Sequence, residues 1–204
     1  ARIRQEFGLA DGIPVIAGVF RLHPEKRPLL FVRLIARLHR QLPNLRVLLA
    51  GVGVMEAAVR QEIAQLRLQN VVHLLGQRKD LPAILAASDV MLLVSDWEGT
   101  PNAVIESQYV GCVPVVTDAG GTAEAIVPGA TALLLEQNDF ERIVSGVLEL
   151  LRNPNRRAAM ARAGRSMITD RFNAQRAHEE TLALYMRLLT AGRNAAASGL
   201  RPAA

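Results

Sequence analysis

The fold is decided by residues Ser95–Gly121, which read SDWEGTPNAVIESQYVGCVPVVTDAGG. The apolar run Val90–Val94 precedes this stretch and the run Val113–Thr117 lies within it, and both have the length and composition of buried parallel strands. Between them we predict a helix, Pro101–Val110, because Thr100 is a favourable N-cap residue and proline suits the first helical position. The stretch therefore predicts a strand–helix–strand unit.

The start of the predicted helix has the properties of an anion site. The amides of Asn102, Ala103 and Val104 have no partner inside a helix that begins here, and they lie at the positive end of its dipole. Glu106 follows Asn102 by one helical turn and shares its face, while Glu98 lies in the preceding loop. This pattern predicts amide donors for a diphosphate, flanked by two carboxylates that accept hydrogen bonds from hydroxyl groups.

Outward from this unit, apolar runs alternate with amphipathic segments, which predicts an α/β fold with a doubly wound parallel sheet of about six strands. The predicted strands are Pro14–Phe20, Arg46–Ala50, Val71–Leu75, Val90–Val94, Val113–Thr117 and Ala132–Leu135. The other predicted helices are Pro28–Leu42, Val54–Leu68, Leu81–Ala87, a short one at Ala123–Ile126, Phe140–Leu151, Asn155–Asp170 and Ala174–Leu189. Residues 191–204, rich in alanine and glycine, are predicted to be a disordered tail.

In such sheets ligands bind at the carboxyl ends of the strands, so the loops there carry the candidate residues. The loop after the first strand contains Arg21 and Lys26, two cations that fit a diphosphate held opposite the helix start; the alternative is an ordinary solvated loop. The loop after the second strand contains Gly51, but a dinucleotide-binding fingerprint fails there because Glu56 occupies the third glycine position. NAD binding is therefore not expected.

Composition narrows the class of protein. The 204 residues are half hydrophobic, which suffices for one large domain, and no apolar run reaches the roughly 20 residues needed to span a bilayer. Arg and Lys outnumber Asp and Glu by 24 to 19, with Lys26 and Lys79 the only lysines. The arginines are spread over helical faces, which disfavours a nucleic-acid partner and indicates a solvated surface, part of it near an anionic membrane or a partner domain.

The reactive residues predict neither a metal nor a disulfide. The sequence has one cysteine, Cys112, four histidines without metal-ligand spacing, and no Asp-x-Asp pair. We also find no signal peptide in Ala1–Leu9, and a single cysteine fits a reducing, cytoplasmic compartment. Because the chain begins inside a predicted helix end, we expect it to be part of a longer protein.

The motifs around the central stretch resemble a known family. The spacing Glu98-x7-Glu106, followed by Gly111–Val116 and by Asp118–Gly121, is similar to the signature of the retaining GT-B glycosyltransferases of family 4. The resemblance runs from about Val15 to Leu189 and implies a Rossmann-like, donor-binding C-terminal domain. Residues 1–190 would form this domain, and an N-terminal acceptor domain would lie outside the chain.

The resemblance also implies roles for individual residues. Glu98 would approach the donor sugar and Glu106 the ribose, while Arg21 and Lys26 would bind the diphosphate and stabilise it as it leaves. Glu98, Arg21 and Lys26 would thus form the catalytic group. Arg78 would either stack on the nucleotide base or stand exposed beside a helix-capping Asp80. The remaining expected donor contacts are Gly51, Gly99, Thr100, Pro101, Asn102, Ala103 and Gly121. Phe20 departs from the family pattern, which usually has glycine there.

The implied function is transfer of a sugar from a UDP- or GDP-linked donor to an acceptor, with retention of configuration, in polysaccharide or glycolipid synthesis. No metal or other cofactor would take part, and the chain alone would be inactive. The implied location is the cytoplasm, at the inner face of the membrane, with peripheral membrane contact. Two alternatives stay open: a nucleotide-sugar epimerase of the same fold, and a non-catalytic basic α/β interaction module.

Overall fold

The computed structural model describes residues 2–197, which form six strands and eight α-helices. The strands are β1 Val15–Val19, β2 Arg46–Ala50, β3 Val72–Gly76, β4 Val90–Leu93, β5 Val113–Thr117 and β6 Leu133–Leu135. The helices are α1 Arg2–Glu6, α2 Pro28–Gln41, α3 Glu56–Gln65, α4 Leu81–Ala86, α5 Asn102–Val110, α6 Phe140–Arg152, α7 Pro154–Arg171 and α8 Ala174–Ala197. Short 3₁₀ turns occupy Pro24–Lys26 and Gly121–Ala125.

The strands form one parallel sheet in the order β3-β2-β1-β4-β5-β6. This confirms the predicted doubly wound α/β fold. The order reverses between β1 and β4, where Ile16 pairs with Val90. Chain connections leave in opposite directions from this point, so the loops after β1 and β4 enclose a crevice at the carboxyl edge of the sheet.

The core follows from the apolar composition of the strands. Every residue of β1, β4 and β5 is buried, as expected for central strands covered by helices on both faces. Helix α2 packs one face against the sheet through Phe31, Leu34, Ile35 and Leu38. Gly18 permits this close approach, because a Cβ atom there would lie 2.8 Å from both the Phe31 ring and Leu49 Cδ1.

The last helix, α8, is longer than predicted, and its large apolar side chains are exposed. It continues past Leu189 to Ala197, so residues 191–197 of the predicted tail are helical, and residues 198–204 lie outside the described part of the chain. Its large apolar side chains between Leu182 and Leu189 are exposed by 48 to 64 per cent. They include Leu182, Tyr185, Met186 and Leu189, which recur with the spacing of one helical face.

We predict that Gly18→Ala lowers the free energy of unfolding by about 1–3 kcal/mol, because the added methyl group overpacks the contact between α2 and the sheet. Chemical denaturation monitored by circular dichroism measures this change. Gly99→Ala is the matched control, since a Cβ atom at Gly99 meets nothing within 4 Å. Equal stability of the two variants would contradict the packing assigned to Gly18.

Candidate functional site

An ion pair joins the two loops that enclose the crevice. Lys26 Nζ, in the loop after β1, lies 2.8 Å from Glu98 Oε2, in the loop after β4. The two side chains are only 12 and 9 per cent exposed. The backbone supports the same junction, because the Asp96 amide donates to the Glu25 carbonyl at 2.8 Å. The structure therefore brings together the lysine that the family resemblance assigns to the diphosphate and the glutamate that it assigns to the donor sugar.

The position of Glu98 is fixed by its backbone as well as its side chain. Its amide donates to the Ala119 carbonyl at 2.9 Å, and its carbonyl accepts from the Gly121 amide at 3.1 Å. Its Oε1 atom accepts a hydrogen bond of 2.7 Å from the buried Ser95 hydroxyl. Both carboxylate oxygens thus have a charged or polar partner, which is the condition for burying a carboxylate.

Arg27 connects this junction to the loop after β6. Its guanidinium lies 3.1 Å from the Asp96 carboxylate, donates to the Gln137 carbonyl at 3.2 Å, and lies over the Phe140 ring. Gln137 returns a side-chain hydrogen bond of 2.6 Å to the Asp96 carbonyl. Arg27 also adopts a left-handed backbone conformation, with φ of 50°, just before α2 begins. Arg27 and Gln137 therefore hold the loops after β1, β4 and β6 together beside the ion pair.

The amino end of α5 faces the site but is not capped as predicted. Thr100 makes no capping hydrogen bond, and Pro101 occupies the N-cap position in an extended conformation, so the helix begins at Asn102. The Val104 amide is also not free, because it donates to the Pro101 carbonyl at 3.0 Å. Proline has fixed the turn geometry that threonine was expected to supply. Within the described residues, the amides of Asn102 and Ala103 have no acceptor.

Glu106 lies on the first turn and a half of α5 and is partly buried. In the part of the chain that the structure describes, its carboxylate makes neither a hydrogen bond nor an ion pair. It contrasts with Glu98, whose two oxygens are both engaged. Glu106 is therefore a carboxylate available to a hydroxyl donor from outside the chain.

Two of the predicted site glycines have a steric reason to be glycine. A Cβ atom at Gly121 would lie 2.6 Å from the Gly99 carbonyl oxygen, and one at Gly51 would lie 1.9 Å from the Phe20 carbonyl oxygen. Gly51 also has a φ of 150°. Because glycine has no Cβ atom, the loop after β5 can lie directly against the loop after β4, and the loop after β2 against the loop after β1. Both glycines therefore set the spacing between neighbouring loops.

A cavity of about 440 Å³ lies at the carboxyl ends of the strands on the β1 side of the switch point. Its lining residues are Val19, Phe20, Arg21, Ala50, Gly51, Val52, Gln77, Arg78 and Leu81. It thus brings together three of the predicted site residues. Arg21 is 70 per cent exposed and lies 3.4 Å from Glu25, so its guanidinium is accessible at the rim. The mostly apolar lining suits a flat ring bordered by polar groups.

Arg78 is held more tightly than either sequence interpretation assumed. Its guanidinium lies 2.8 Å from the carboxylates of both Glu6 and Asp80 and about 6.0 Å from the centre of the Phe7 ring. The hydrogen bond from Arg78 lowers the pKa of Asp80 to about 2. Asp80 makes no side-chain capping bond to α4, because its carboxylate is used by Arg78. Arg78 is thus a fixed part of the cavity wall.

Sequence reasoning missed Ser95, Arg27 and Asp96. Ser95 and Asp96 lie three and two residues before Glu98, and their proximity to it was the available signal. No local pattern indicates that Arg27 adopts a left-handed conformation or reaches the loop after β6. That contact depends on the order of strands in the sheet.

Among residues 2–197, no group of three histidine, cysteine, aspartate or glutamate side chains is placed to hold a metal ion. In the same part of the chain, none of the helices is long and apolar enough to cross a bilayer.

The sequence matches a known protein family. The family model for glycosyl transferases group 1 matches residues 1–167. A GDP-mannose-dependent phosphatidylinositol monomannoside mannosyltransferase from Corynebacterium glutamicum is 32% identical over 174 residues, covering 81% of this chain and 45% of that protein. The Vi polysaccharide biosynthesis protein VipC/TviE of Salmonella typhi is 32% identical over 126 residues, covering 62% of this chain and 22% of that protein.

A solved structure shows the same fold. Anabaena Alr3699/HepE, crystallised with UDP-glucose, superposes with a TM-score of 0.81 at 24% identity, covering 89% of this chain and 51% of that protein. The chain thus spans about half the length, or less, of the relatives that it matches.

We predict that Gly121→Ala destabilises the protein more than Gly99→Ala, by about 1–3 kcal/mol, because the new methyl group meets backbone atoms that cannot rotate away. The expected displacement moves the loop that carries Glu98. Paired denaturation curves of the two variants test this, since Gly99 belongs to the same junction but has open space. A Gly121→Ala protein as stable as the wild type would show that the loops have room to separate.

A pH prediction follows from Asp80. The pKa of Asp80 in the folded protein, about 2, lies below the 3.8 that is ordinary for an aspartate, so its contact with Arg78 stabilises the fold fully above pH 4 and is lost as the pH falls towards 2. The stability difference between wild type and Asp80→Asn should therefore shrink between pH 4 and pH 2. Asp11→Asn, which removes an exposed carboxylate far from Arg78 in sequence, is the control. A difference that stays constant over this range would contradict the assignment.

Proposed function

Because the chain belongs to the family of glycosyl transferases group 1, we propose that it is the donor-binding half of an enzyme that transfers a sugar from a nucleotide-diphosphate sugar to an acceptor. The observation that carries the proposal is the Lys26–Glu98 pair at the switch point of the sheet. It places a permanent cation and a carboxylate beside the free amides of a helix start. A diphosphate and a hydroxyl-bearing sugar need these two kinds of group.

The proposed role of the cations is to stabilise the departing nucleoside diphosphate. Lys26 and the exposed Arg21 approach from the loop after β1, and the amides of Asn102 and Ala103 approach from α5. Charge that develops on the leaving phosphate is neutralised by groups already in place, which lowers the barrier without a metal ion. No metal or other cofactor enters this mechanism.

The proposed role of the two glutamates is to orient the donor. Lys26 is paired with Glu98 in the structure, so a diphosphate competes for the lysine and leaves the Glu98 carboxylate to accept from sugar hydroxyls. Glu106, whose carboxylate has no partner among the described residues, is the proposed acceptor for the ribose hydroxyl groups. Retention of configuration, by front-face attack assisted by the leaving phosphate, is the stereochemistry that the family resemblance implies.

The cavity beside the switch point is the proposed site of the base. Phe20 and Val19 supply apolar walls, while Gln77 and the backbone near Gly51 supply polar groups at its border. A planar heterocycle fits such a lining, with Arg78 as a fixed wall rather than a mobile stacking partner. The name of the Corynebacterium relative specifies GDP-mannose, whereas the solved Anabaena structure holds UDP-glucose, so both UDP- and GDP-linked donors enter the test below.

A second domain is proposed to supply the acceptor site. The chain spans about half of its relatives, and α8 leaves Leu182, Tyr185 and Met186 exposed, as expected for a helix that packs on another domain. We propose polysaccharide or glycolipid synthesis as the setting, with the acceptor held at the cytoplasmic face of the membrane and basic surface near its anionic lipids. Labelled donor incubated with the chain alone should yield no glycosylated product, and any transfer would contradict this division.

The site proposal is tested by substituting the two lysines separately. Lys26→Met should weaken binding of a nucleoside diphosphate by about tenfold or more, because it removes a partly desolvated cation from the phosphate site. Lys79 is the only other lysine, and its side chain is exposed in the loop after β3. Lys79→Met should therefore leave the affinity within twofold of the wild-type value. Calorimetric titration with UDP, UDP-glucose, GDP and GDP-mannose measures both and identifies the base.

Glu98→Gln tests whether the Glu98 carboxylate competes with the diphosphate for Lys26. It keeps a group that accepts from Ser95 and removes the charge that pairs with Lys26, so the diphosphate should bind at least as tightly as it binds the wild type. If Lys26→Met and Lys79→Met weaken binding equally, the diphosphate does not lie at the switch point. If none of the four probes binds to the wild-type chain, the proposed donor site is wrong for this domain on its own.

A further inference from the structure

Ser95 is a buried polar residue to which the proposed mechanism gives no task. Its side chain is fully buried two residues beyond the end of β4, and its hydroxyl donates to Glu98 Oε1 at 2.7 Å. The other oxygen of the same carboxylate is bound by Lys26 at 2.8 Å. One carboxylate is therefore held from two sides, by a neutral donor and by a cation.

The two partners of Glu98 differ in how firmly they are placed. Ser95 has one rotatable side-chain bond, and its carbonyl accepts a hydrogen bond of 2.9 Å from the buried Thr117 hydroxyl on β5. Lys26 has a four-carbon stem and ends a 3₁₀ turn in a loop. The serine is therefore the fixed partner of the carboxylate, and the lysine is the partner able to move.

We propose that Ser95 is a positioning residue that keeps the Glu98 carboxylate directed at the donor sugar when Lys26 binds the diphosphate. This inference rests on the proposed function, because it gives Glu98 and Lys26 separate parts of one nucleotide sugar. Once the diphosphate draws Lys26 away, the Ser95 hydroxyl is the remaining side-chain donor to Glu98 among the described residues. It leaves the other oxygen of the carboxylate free for a sugar hydroxyl.

Removing the hydroxyl has a consequence that separates positioning from mere stability. Without Ser95 Oγ, the carboxylate is free to rotate and its alignment with the sugar is lost. The diphosphate contacts of Arg21, Lys26 and α5 do not involve Ser95, so they persist. Ser95→Ala should therefore reduce the extra affinity that the sugar contributes and leave the affinity for the bare nucleotide unchanged.

The test is calorimetric titration of the full chain with UDP and UDP-glucose, and with GDP and GDP-mannose. We expect the wild type to bind one sugar nucleotide more tightly than the matching nucleotide. Ser95→Ala should reduce that affinity ratio by about tenfold or more, which is the effect of one hydrogen bond to a charged group, and change nucleotide affinity by less than twofold. Ser95→Thr, which restores the hydroxyl, should recover the ratio.

Two further variants make the result specific. Ser95→Cys keeps a side chain of similar size with a much weaker donor, so it should also lower the ratio, and it serves if the alanine variant folds poorly. Ser88→Ala removes another buried hydroxyl, which donates to the Ile84 carbonyl near the opposite edge of the sheet, and it should leave the ratio unchanged.

The contrary outcomes are distinct. An unchanged ratio in Ser95→Ala and Ser95→Cys, or an equal loss of affinity for nucleotide and sugar nucleotide, would overturn the positioning role. A wild type that binds nucleotide without any preference for the sugar form would overturn it while leaving the nucleotide site intact. A wild type that binds none of the four probes would overturn the proposed function and this inference with it.

Discussion

The buried ion pair between Lys26 and Glu98 is the contact on which the arrangement of the site depends. It joins the loops after β1 and β4 at the point where the strand order of the sheet reverses. Burial of both groups means that removing one leaves an uncompensated charge, which typically destabilises a protein by about 3–5 kcal/mol. The pair is therefore a strong constraint on which side chains can occupy these positions.

The contacts around the ion pair hold the neighbouring loops in place. Gly121 allows the loop after β5 to lie directly on the loop after β4, and Arg27 ties both neighbouring loops to the loop after β6. These restraints hold the carboxylate and the lysine before any ligand arrives. In the proposed mechanism such preorganisation lowers the reorganisation needed when charge develops on the leaving diphosphate. Stability and function therefore draw on the same set of contacts.

The sequence predicts the sheet well because apolar residues dominate every strand. The bounds of β2 and β5 agree with their predictions, as does the doubly wound order. The start of α5 was predicted from the preference of Thr100 for the N-cap position. In the structure Pro101 occupies that position, and the helix begins one residue later than predicted. No local pattern predicts the ion pair between Lys26 and Glu98, the contacts of Arg27 with the loops after β4 and β6, or the contact of Arg78 with Glu6. Each of these contacts joins residues that are distant in sequence. They depend on which strands become neighbours.

The central claim is that Lys26 exchanges its Glu98 partner for a diphosphate, and the presence of only two lysines allows this to be observed directly. Nuclear magnetic resonance of the chain labelled with ¹³C at lysine Cε should give two signals. Titration with UDP and GDP, each alone and linked to its sugar, should shift the Lys26 signal with saturation and leave the Lys79 signal in place. A Lys26 signal that stays unchanged while a nucleotide binds would contradict the claim.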